Sequence, residues 1–156
     1  MFKNIKKLAG PLVTILLIYT FIHISISEVN TQSGSWKEIS KGISGNTVQT
    51  LAVDSRNSNI LYCGTQRSGI FKTIDGGANW LPVNIGLTGM DVRSIVIDPT
   101  NSNILYAAVY GAGVFKSTNA GSNWSITGPG IPANYCIKPL IIDPINPNIL
   151  YVGHYT

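Results

Sequence analysis

The chain has 156 residues, enough for one ordinary domain, and its 12% charged and 44% apolar residues exclude an intrinsically disordered protein. Three of the 11 Lys and Arg residues lie in the first seven positions, and from residue 28 onward eight Lys and Arg stand against seven Asp and Glu. The formal charge of +4 therefore belongs to the N-terminus, and no nucleic-acid partner is predicted.

The N-terminal segment combines a lysine-bearing start with an apolar run over positions 8–26. Ser25 and Ser27 are small residues at the spacing of a signal peptidase site, which predicts cleavage after Ser27. An uncleaved segment of this length is the alternative, since about 20 apolar residues cross a bilayer as a helix. We expect residues 1–27 to form an apolar helix, as a signal peptide or as a single-pass anchor. Residues 28–156 are then secreted, periplasmic or displayed at the cell surface, with membrane contact only through the anchor.

The rest of the chain repeats itself with a period of about 44 residues, which is a length typical of stacked or radial repeats. Three residue types recur at this spacing, with one single-residue slip in the third unit. The recurring residues are Trp36, Trp80 and Trp124, then Asp54, Asp98 and Asp143, then Tyr62, Tyr106 and Tyr151. Three series in register indicate that each unit has the same local structure.

Each unit contains four short apolar segments separated by polar turns. In the first unit the segments are VQTLAV, ILYCGT, IFKTI and WLPVNI. Four strands in a repeat of about 40 to 50 residues predict the blades of a β-propeller, whereas solenoid coils are shorter. Pro82 falls in a fourth strand and Pro139 in a first strand, which are the two edges of a blade where proline is tolerated.

The repeat divides the all-β region into partial and complete blades. A fourth-strand phrase at 36–43 is predicted to close a blade, and complete blades are predicted over 47–86 and 91–130. An incomplete blade covers 136–156. Because a propeller has about four to eight blades, the sequence is expected to be the N-terminal part of a larger propeller.

The phrase between the third and fourth strands follows the pattern S/T-x-D-x-G-x-x-W. It reads TIDGGANW in the first unit and STNAGSNW in the second, and NTQSGSW is a degenerate copy. Together with the D-P-x-N-x-N-I-L-Y phrase, it resembles the Asp-box, or BNR, repeat over residues 36–156. The resemblance extends to the propellers of sortilin-type receptors, photosystem II assembly factors and xyloglucan-cleaving endoglucanases. The matching residues are Thr73, Asp75, Gly77, Trp80, Ser117, Asn119, Gly121 and Trp124.

The resemblance implies that these residues form a structural hairpin turn. Asp75 is expected to accept backbone N–H groups, and Asn119 offers the same acceptor without charge. The glycines permit a positive φ, and the tryptophans are expected to fill the gap between blades. Neither a catalytic nor a metal-binding role is predicted for Asp75.

The acidic residues do not provide the pair of carboxylates that a glycosidase needs. Asp54, Asp98 and Asp143 are predicted to cap turns, and Asp75 belongs to the box. Glu28 is next to the leader and Glu38 lies on an outer strand, which leaves Asp91. In xyloglucan-cleaving enzymes the resemblance places a catalytic aspartate four residues after the second-strand tyrosine. At that position this sequence has Gln66, Tyr110 and Tyr155.

No catalytic residue, metal site or cofactor is therefore predicted for this chain. Its histidines and cysteines lack metal-ligand spacing. Cys63 and Cys136 fall in blades that are not neighbours, so no disulfide between them is predicted.

The loops opposite the Asp-box turns are the candidate ligand-binding surface. Their aromatic and hydrogen-bonding side chains suit sugars or peptides, although solvated loop residues are the alternative. The candidates are Gln66, Arg67, Tyr110, His154, Tyr155, Asp91, Arg93 and Lys138. The predicted function is a non-catalytic scaffold that binds a protein or polysaccharide. The first alternative is the N-terminal part of a secreted glycoside hydrolase with catalytic acids beyond residue 156, and the second is a stalk or assembly scaffold without a small ligand.

Overall fold

The structure is a computed structural model that describes residues 14–20, 23–30, 35–43, 47–128 and 136–155. At residues 14–20 and 23–30, and at Ser35, Cys136 and Tyr155, it describes the backbone alone. Every regular element within these ranges is a β-strand. The strands are β1 (Thr14–Thr20), β2 (His23–Asn30), β3 (Ser35–Glu38), β4 (Val48–Val53), β5 (Leu61–Thr65), β6 (Ile70–Thr73), β7 (Leu81–Pro82), β8 (Val92–Ile97), β9 (Leu105–Val109), β10 (Gly113–Ser117), β11 (Ser125–Thr127), β12 (Cys136–Ile142) and β13 (Leu150–Tyr155).

Two antiparallel sheets of four strands form the centre of the molecule. We call β4–β7 the first unit and β8–β11 the second unit, and in both the strand order follows the chain. β12 and β13 form the third unit, and they pair as the first two strands of the others do. The predicted all-β fold with four-stranded antiparallel blades is confirmed for the first two units. Pro82 lies on β7, at the outer edge of its sheet.

The first strands lie side by side at the inner edge of the assembly. β4 contacts β8, and β8 contacts β12. The second strands β5 and β9 are buried along their whole length, so both of their faces are covered. Gly64 on β5 permits this approach, because a Cβ atom there would lie 2.6 Å from Val92 Cγ1 of the second unit. The units are therefore stacked face to face around a common inner edge.

The apolar core lies between the units and not within any one of them. One cluster joins Ile39 and Ile43 to Trp80 and other residues of the first unit. A second cluster joins Tyr62 of the first unit to residues of the second, and a third joins the second unit to Ile137 and Leu140 of the third. Each sheet consequently depends on its neighbours for burial of its apolar side chains.

The tryptophans fix each unit to the segment that precedes it. Trp80 donates from Nε1 to the carbonyl of Ile39 at 2.6 Å, and Trp124 donates to the carbonyl of Val83 at 2.8 Å. Both indoles are buried. Ile39 and Val83 are equivalent in the repeat. Residues 39–43 therefore contact the first unit in the same way as the segment around Val83 contacts the second unit.

The N-terminal residues differ from the predicted apolar helix. Residues 1–13, 21 and 22 lie outside the described residues, and the described parts form an antiparallel β1–β2 hairpin with β3 paired to β2. This segment is rich in β-branched isoleucine and threonine, which favour extended backbone, and strand pairing satisfies its N–H and C=O groups. No described residue belongs to a helix long and apolar enough to cross a bilayer.

We predict that Gly77→Ala destabilises the fold more than the adjacent Gly76→Ala. Both glycines have positive φ, but a Cβ atom at Gly77 would lie 2.6 Å from Ile39 Cδ1, whereas at Gly76 the nearest atom would be Asn59 Oδ1 at 3.6 Å. Ala120, which is equivalent to Gly76, already has a φ of 54°. We expect a loss of about 2–4 kcal/mol for Gly77→Ala and about 1 kcal/mol for Gly76→Ala, measured by urea unfolding. Equal losses would show that the packing against Ile39 does not matter.

Candidate functional site

The Asp75 turn is held by a closed set of hydrogen bonds. Thr73 Oγ1 accepts from the Gly77 N–H at 3.0 Å and donates to Asp75 Oδ1 at 2.7 Å. Asp75 Oδ1 also accepts from the Asn79 backbone at 2.9 Å, and Oδ2 accepts from the Asn79 side chain at 2.9 Å. Both carboxylate oxygens thus serve to close the turn.

The second unit forms the same turn with an amide in place of the carboxylate. Ser117 Oγ accepts from the Gly121 N–H at 2.9 Å and donates to Asn119 Oδ1 at 3.0 Å. Asn119 Oδ1 also accepts from the Asn123 backbone at 2.9 Å. An oxygen acceptor is therefore sufficient for this turn, and a charge is not required.

Hydrogen bonding lowers the pKa of the exposed Asp75 carboxyl to about 2. The bond from the Asn79 side chain has the largest effect, followed by the bond from Thr73 and the Asn79 backbone bond. The bonds favour the ionised form, because each donor is aimed at a carboxylate oxygen. Asp75 is consequently a strong acceptor in a turn and a poor proton donor at neutral pH.

The three repeated aspartates cap turns at the same end of the sheets. Asp54 Oδ1 accepts from the Arg56 backbone at 2.9 Å, Asp98 Oδ1 from the Thr100 backbone at 2.7 Å, and Asp143 Oδ1 from the Ile145 backbone at 2.8 Å. These bonds agree with the predicted capping role. We call this end, with the Asp75 and Asn119 turns, the turn end.

At the opposite end, which we call the loop end, the three first strands share an irregularity. The pairing register shifts between Val48 and Thr50, between Val92 and Ser94, and between Ile137 and Leu140. The residues inside these bulges are Gln49, Arg93 and the Lys138–Pro139 pair, which is joined by a cis peptide bond. Bulges commonly redirect a side chain near functional sites, so this repeated feature identifies the loop end as the place to look for one.

Asp91, Arg93 and Tyr110 form a stacked cluster at the loop end. Arg93 Nη2 lies 2.5 Å from Asp91 Oδ2, and the guanidinium carbon lies 5.2 Å from the centroid of the Tyr110 ring. The backbone N–H of Tyr110 donates to the Asp91 carbonyl at 2.8 Å. Two sheet connections are thereby joined around one cation, which is held both by a carboxylate and by an aromatic face.

The cluster combines a partly buried ion pair with an accessible ring. The side chains of Asp91 and Arg93 are each 21% exposed, whereas Tyr110 is 49% exposed. Asp91 Oδ1 is buried and accepts no hydrogen bond from the described residues. The arrangement presents an accessible aromatic ring that packs against the Arg93 guanidinium.

The first unit contributes the neighbouring loop. The Gln66 N–H donates to the Thr47 carbonyl at 2.9 Å, which is the same bond that joins Tyr110 to Asp91 in the second unit. The Gly69 N–H donates to the Met90 carbonyl at 3.0 Å and so holds this loop beside the cluster. Gln66 is half-buried and Arg67 is exposed.

The third unit places its candidates at the same end but outside the cluster. Lys138 is exposed in the bulge of β12, and His154 is exposed opposite Ile137. Tyr155 pairs through its backbone with Cys136, and its side chain lies outside the described residues. Of the candidate residues, Asp91, Arg93 and Tyr110 are the ones that the structure brings into direct contact.

Sequence reasoning missed Met90, which is 41% exposed beside the cluster. The available signal was an apolar residue at a loop position where the first unit has Asn46. It also treated Asp91 as a spare carboxylate, because nothing in the spacing shows that its partner is Arg93.

The described residues do not assemble an acid/base pair at the loop end. Asp91 is the carboxylate that the described side chains place there, and it is paired with Arg93. No three His, Cys, Asp or Glu side chains in the described ranges are grouped to hold a metal ion. Cys63 is a free thiol whose pKa is raised to about 12 by burial, so it is not a nucleophile at neutral pH.

Comparisons with known proteins identify the fold of this chain but not its function. No family model matches the chain, and no curated protein matches it. An ancestral GH74 enzyme superposes on 93% of the chain with a TM-score of 0.70 at 21% identity. The GH74 enzyme of Niastella koreensis superposes on 84% with a TM-score of 0.67 at 24% identity. YCF48 bound to D1 peptide superposes on 79% with a TM-score of 0.58 at 16% identity.

The chain covers a part of each of these structures. It spans 21% and 22% of the two GH74 chains and 40% of the YCF48 chain. At these identities the likeness shows a shared β-propeller fold. Activity and ligand are matters of the site and do not follow from the fold.

We predict that Asp75→Asn removes part of the acid sensitivity of folding. The pKa of Asp75 is lower in the folded protein than its ordinary value of 3.8, so its stabilising effect is complete above about pH 4 and is lost as the pH falls towards 2. Near pH 7 the asparagine variant should be slightly less stable than the parent, because it keeps the bonds that Asn119 makes but loses the bond from the Asn79 side chain to Asp75 Oδ2. Urea unfolding at a series of pH values from 2 to 7 measures both effects. An unchanged slope between pH 4 and 2 would contradict the assigned origin of the shift.

Proposed function

We propose that this protein is a non-catalytic β-propeller that binds a protein or glycan ligand at its loop end. The observation that carries the proposal is the Arg93–Tyr110 stack over the Asp91 carboxylate. A tyrosine fixed in this way offers an apolar face and a hydroxyl group at little entropic cost on binding. Both are features of sugar and peptide recognition.

The loops around the cluster support a preformed site. Backbone hydrogen bonds connect Gln66 to Thr47, Gly69 to Met90 and Tyr110 to Asp91. Each of these bonds joins two different loops. The loops at this end are therefore held in place by backbone contacts that also position the sheets. A ligand would meet a preformed surface that includes the exposed Arg67 and Met90.

Two of the structural likenesses favour an extended ligand. One of the similar structures is YCF48 bound to D1 peptide, and another is a GH74 xyloglucanase from Xanthomonas campestris. For this chain we infer the coarser chemistry that they share, which is a polymeric ligand lying across the loop end. A propeller surface suits such a ligand, because neighbouring blades present their loops in a row.

We further propose that the repeat is of the Asp-box type and that the protein acts outside the cytoplasm. The turn geometry at Asp75 and Asn119 supports the first point through its matched hydrogen bonds. The lysine-bearing, apolar leader with Ser25 and Ser27 supports the second. Detection of the mature N-terminus by mass spectrometry after expression in a secreting host tests the cleavage.

A glycoside hydrolase is the second candidate, and the GH74 likeness favours it. In that case the catalytic acids belong to residues other than those described, because Asp91 is engaged by Arg93. Release of reducing sugar from soluble xyloglucan by the purified chain would establish activity. That release would overturn the non-catalytic proposal. Its retention in Asp91→Asn would agree with catalytic acids elsewhere, whereas its loss would place Asp91 in the reaction.

We predict that Tyr110→Ala weakens ligand binding about tenfold or more, as expected for a central aromatic anchor. A glycan array and a peptide array first supply a binding probe, and calorimetry with that probe then measures the Kd. Trp36→Ala is the matched control, because Trp36 is exposed to a similar extent, 47% against 49%, and lies outside the loop end. The control should leave the Kd unchanged within about twofold. Equal effects of the two substitutions, or no effect of Tyr110→Ala, would refute the assigned site.

A further inference from the structure

The loop after β5 departs from the repeat. It covers residues 65–69, and its counterpart after β9 covers residues 109–113, 44 positions later. Three pairs of equivalent residues differ in polarity, and they are Thr65 and Val109, Arg67 and Gly111, and Ser68 and Ala112. The second unit builds the same hairpin from apolar residues and glycines, so the sheet does not require the polar side chains of the first.

The side chain of Thr65 closes the loop of the first unit. Its Oγ1 accepts from the Ser68 N–H at 3.0 Å and donates to the Gly69 carbonyl at 2.9 Å, and the residue is fully buried. In the second unit a backbone bond from the Ala112 N–H to the Val109 carbonyl closes the turn at 3.1 Å. The first unit therefore uses a buried hydroxyl group where the fold itself needs only the backbone.

Asn84, in the segment after β7, holds the same loop from a second direction. Its Oδ1 accepts from the Ile70 N–H at 2.7 Å, and its Nδ2 donates to the Ser68 carbonyl at 3.0 Å. Gly69 fits closely against it, because a Cβ atom there would clash with Asn84 Oδ1. The second unit has Gly128 at the equivalent position and has no side chain there to make these bonds.

These bonds place Arg67 beside the aromatic cluster. The Gly69 N–H donates to the Met90 carbonyl at 3.0 Å, and the Tyr110 N–H donates to the carbonyl of the next residue, Asp91, at 2.8 Å. The two loops are thus attached to successive residues of one segment. Arg67 is exposed in its loop, with Met90 and Tyr110 as its neighbours at this end of the sheets.

The exposed side chains around this segment are of the types that protein interfaces favour. Arg67 is exposed, and Met90 and Tyr110 are 41% and 49% exposed. Tyrosine, methionine and arginine are enriched in the contact surfaces of proteins, and tyrosine and arginine are frequent hot spots. A methionine side chain adapts to apolar side chains of different shapes, which a polysaccharide does not have. This composition favours a protein over a glycan.

The charge of the surface favours an acidic partner. Asp91 neutralises Arg93, whereas Arg67 forms no ion pair with any carboxylate in the described ranges. The other acidic residues of the first two units lie at the turn end, and they are Asp54, Asp75 and Asp98. Neighbouring units stack on the faces of the sheets, so additional units of a larger propeller would leave this end open.

We propose that Arg67, Met90 and Tyr110 form a docking surface for an acidic segment of a partner protein, and that Asn84 is the positioning residue for Arg67. The proposal rests on the ligand site proposed above and names its ligand more closely. The Arg67 guanidinium binds an aspartate or glutamate carboxylate of the segment, and an apolar side chain of the segment packs on Met90 and Tyr110. Asn84 does not touch the partner and acts through the loop.

The test uses the full chain and an array of immobilised hexapeptides. Each peptide carries aspartate or glutamate beside one or two apolar residues, and each is paired with a copy that has amides in place of the carboxylates. For the pair that binds best, fluorescence anisotropy measures both Kd values. We expect the acidic peptide to bind at least about tenfold more tightly, because hydrogen bonds to charged groups are the stronger ones.

Two outcomes separate this inference from the proposed function. Equal binding of the paired peptides, or Tyr110-dependent binding of a neutral glycan without binding of the acidic peptides, would overturn the inference and leave the loop-end site intact. If Tyr110→Ala weakens binding of neither peptides nor glycans, the loop-end site itself is refuted and the inference is refuted with it.

Arg67→Gln tests the charge. The acidic preference, defined as the ratio of the two Kd values, should fall to about twofold or less, because the carboxylate loses its charged partner. Arg56→Gln is the matched control, since Arg56 is an exposed arginine at the turn end, and it should leave the ratio unchanged. A ratio that survives Arg67→Gln would overturn the role of Arg67.

Asn84→Ala tests the positioning role. Arg67 is still present in this variant, but its loop is no longer preorganised, so the acidic preference should fall about fivefold. Asn57→Ala is the control, because the Asn57 side chain also accepts a backbone N–H, from Asn59 at 3.1 Å, but at the turn end. Urea unfolding measures the stability of both variants. A loss of stability in Asn84→Ala without a change in the ratio would show that Asn84 is merely structural and overturn its assignment.

Discussion

Burial of one sheet between two others is the constraint on which the rest of this structure depends. β5 and β9 are buried on both faces, and the apolar clusters lie between the units. The contact is directional as well as apolar, because Tyr62 and Lys72 both donate to one carbonyl on the next unit. A unit that needs its neighbour for both burial and hydrogen bonds is stable as a member of an array and not as an isolated sheet.

The two ends of the sheets follow from this constraint in different ways. The turn end carries contacts that fix one unit to the next, such as the bond from Tyr62 to Ala120. Its turns form the same backbone hydrogen bond in both complete units, with Asn119 in place of Asp75. The loop end carries few of those contacts, and its residues differ between units, as Gln66 and Tyr110 do. The turn end is therefore a structural scaffold that is the same in both complete units. The loop end differs between units and can carry a binding site, as loops on a scaffold commonly do.

Much of the fold was predictable because the period fixes it. The aligned tryptophans, aspartates and tyrosines indicate the repeat, and the apolar segments between polar turns predict four strands per unit. Pro82 lies at the predicted outer edge. The site was predictable only as a set of loops. The pairing of Asp91 with Arg93 and the stacking of Arg93 on Tyr110 depend on side-chain directions after a β-bulge, which no spacing rule supplies. In the N-terminal segment the secondary structure itself differs from the prediction. Its apolar pattern predicts a helix, whereas the described residues 14–20 and 23–30 pair as strands.

The sequence by itself determined the all-β architecture, the length of the repeat and the structural character of the Asp75 turn, because these depend on periodicity and on local acceptors. Only the tertiary structure decided which units meet and through which atoms. The Ala120 carbonyl and the Tyr62 hydroxyl are 58 residues apart in the chain. Pairing of β8 with β9 brings Asp91 and Tyr110 together across a whole hairpin. Contacts between units are set by the stacking of complete sheets, and that information is not carried by any single repeat.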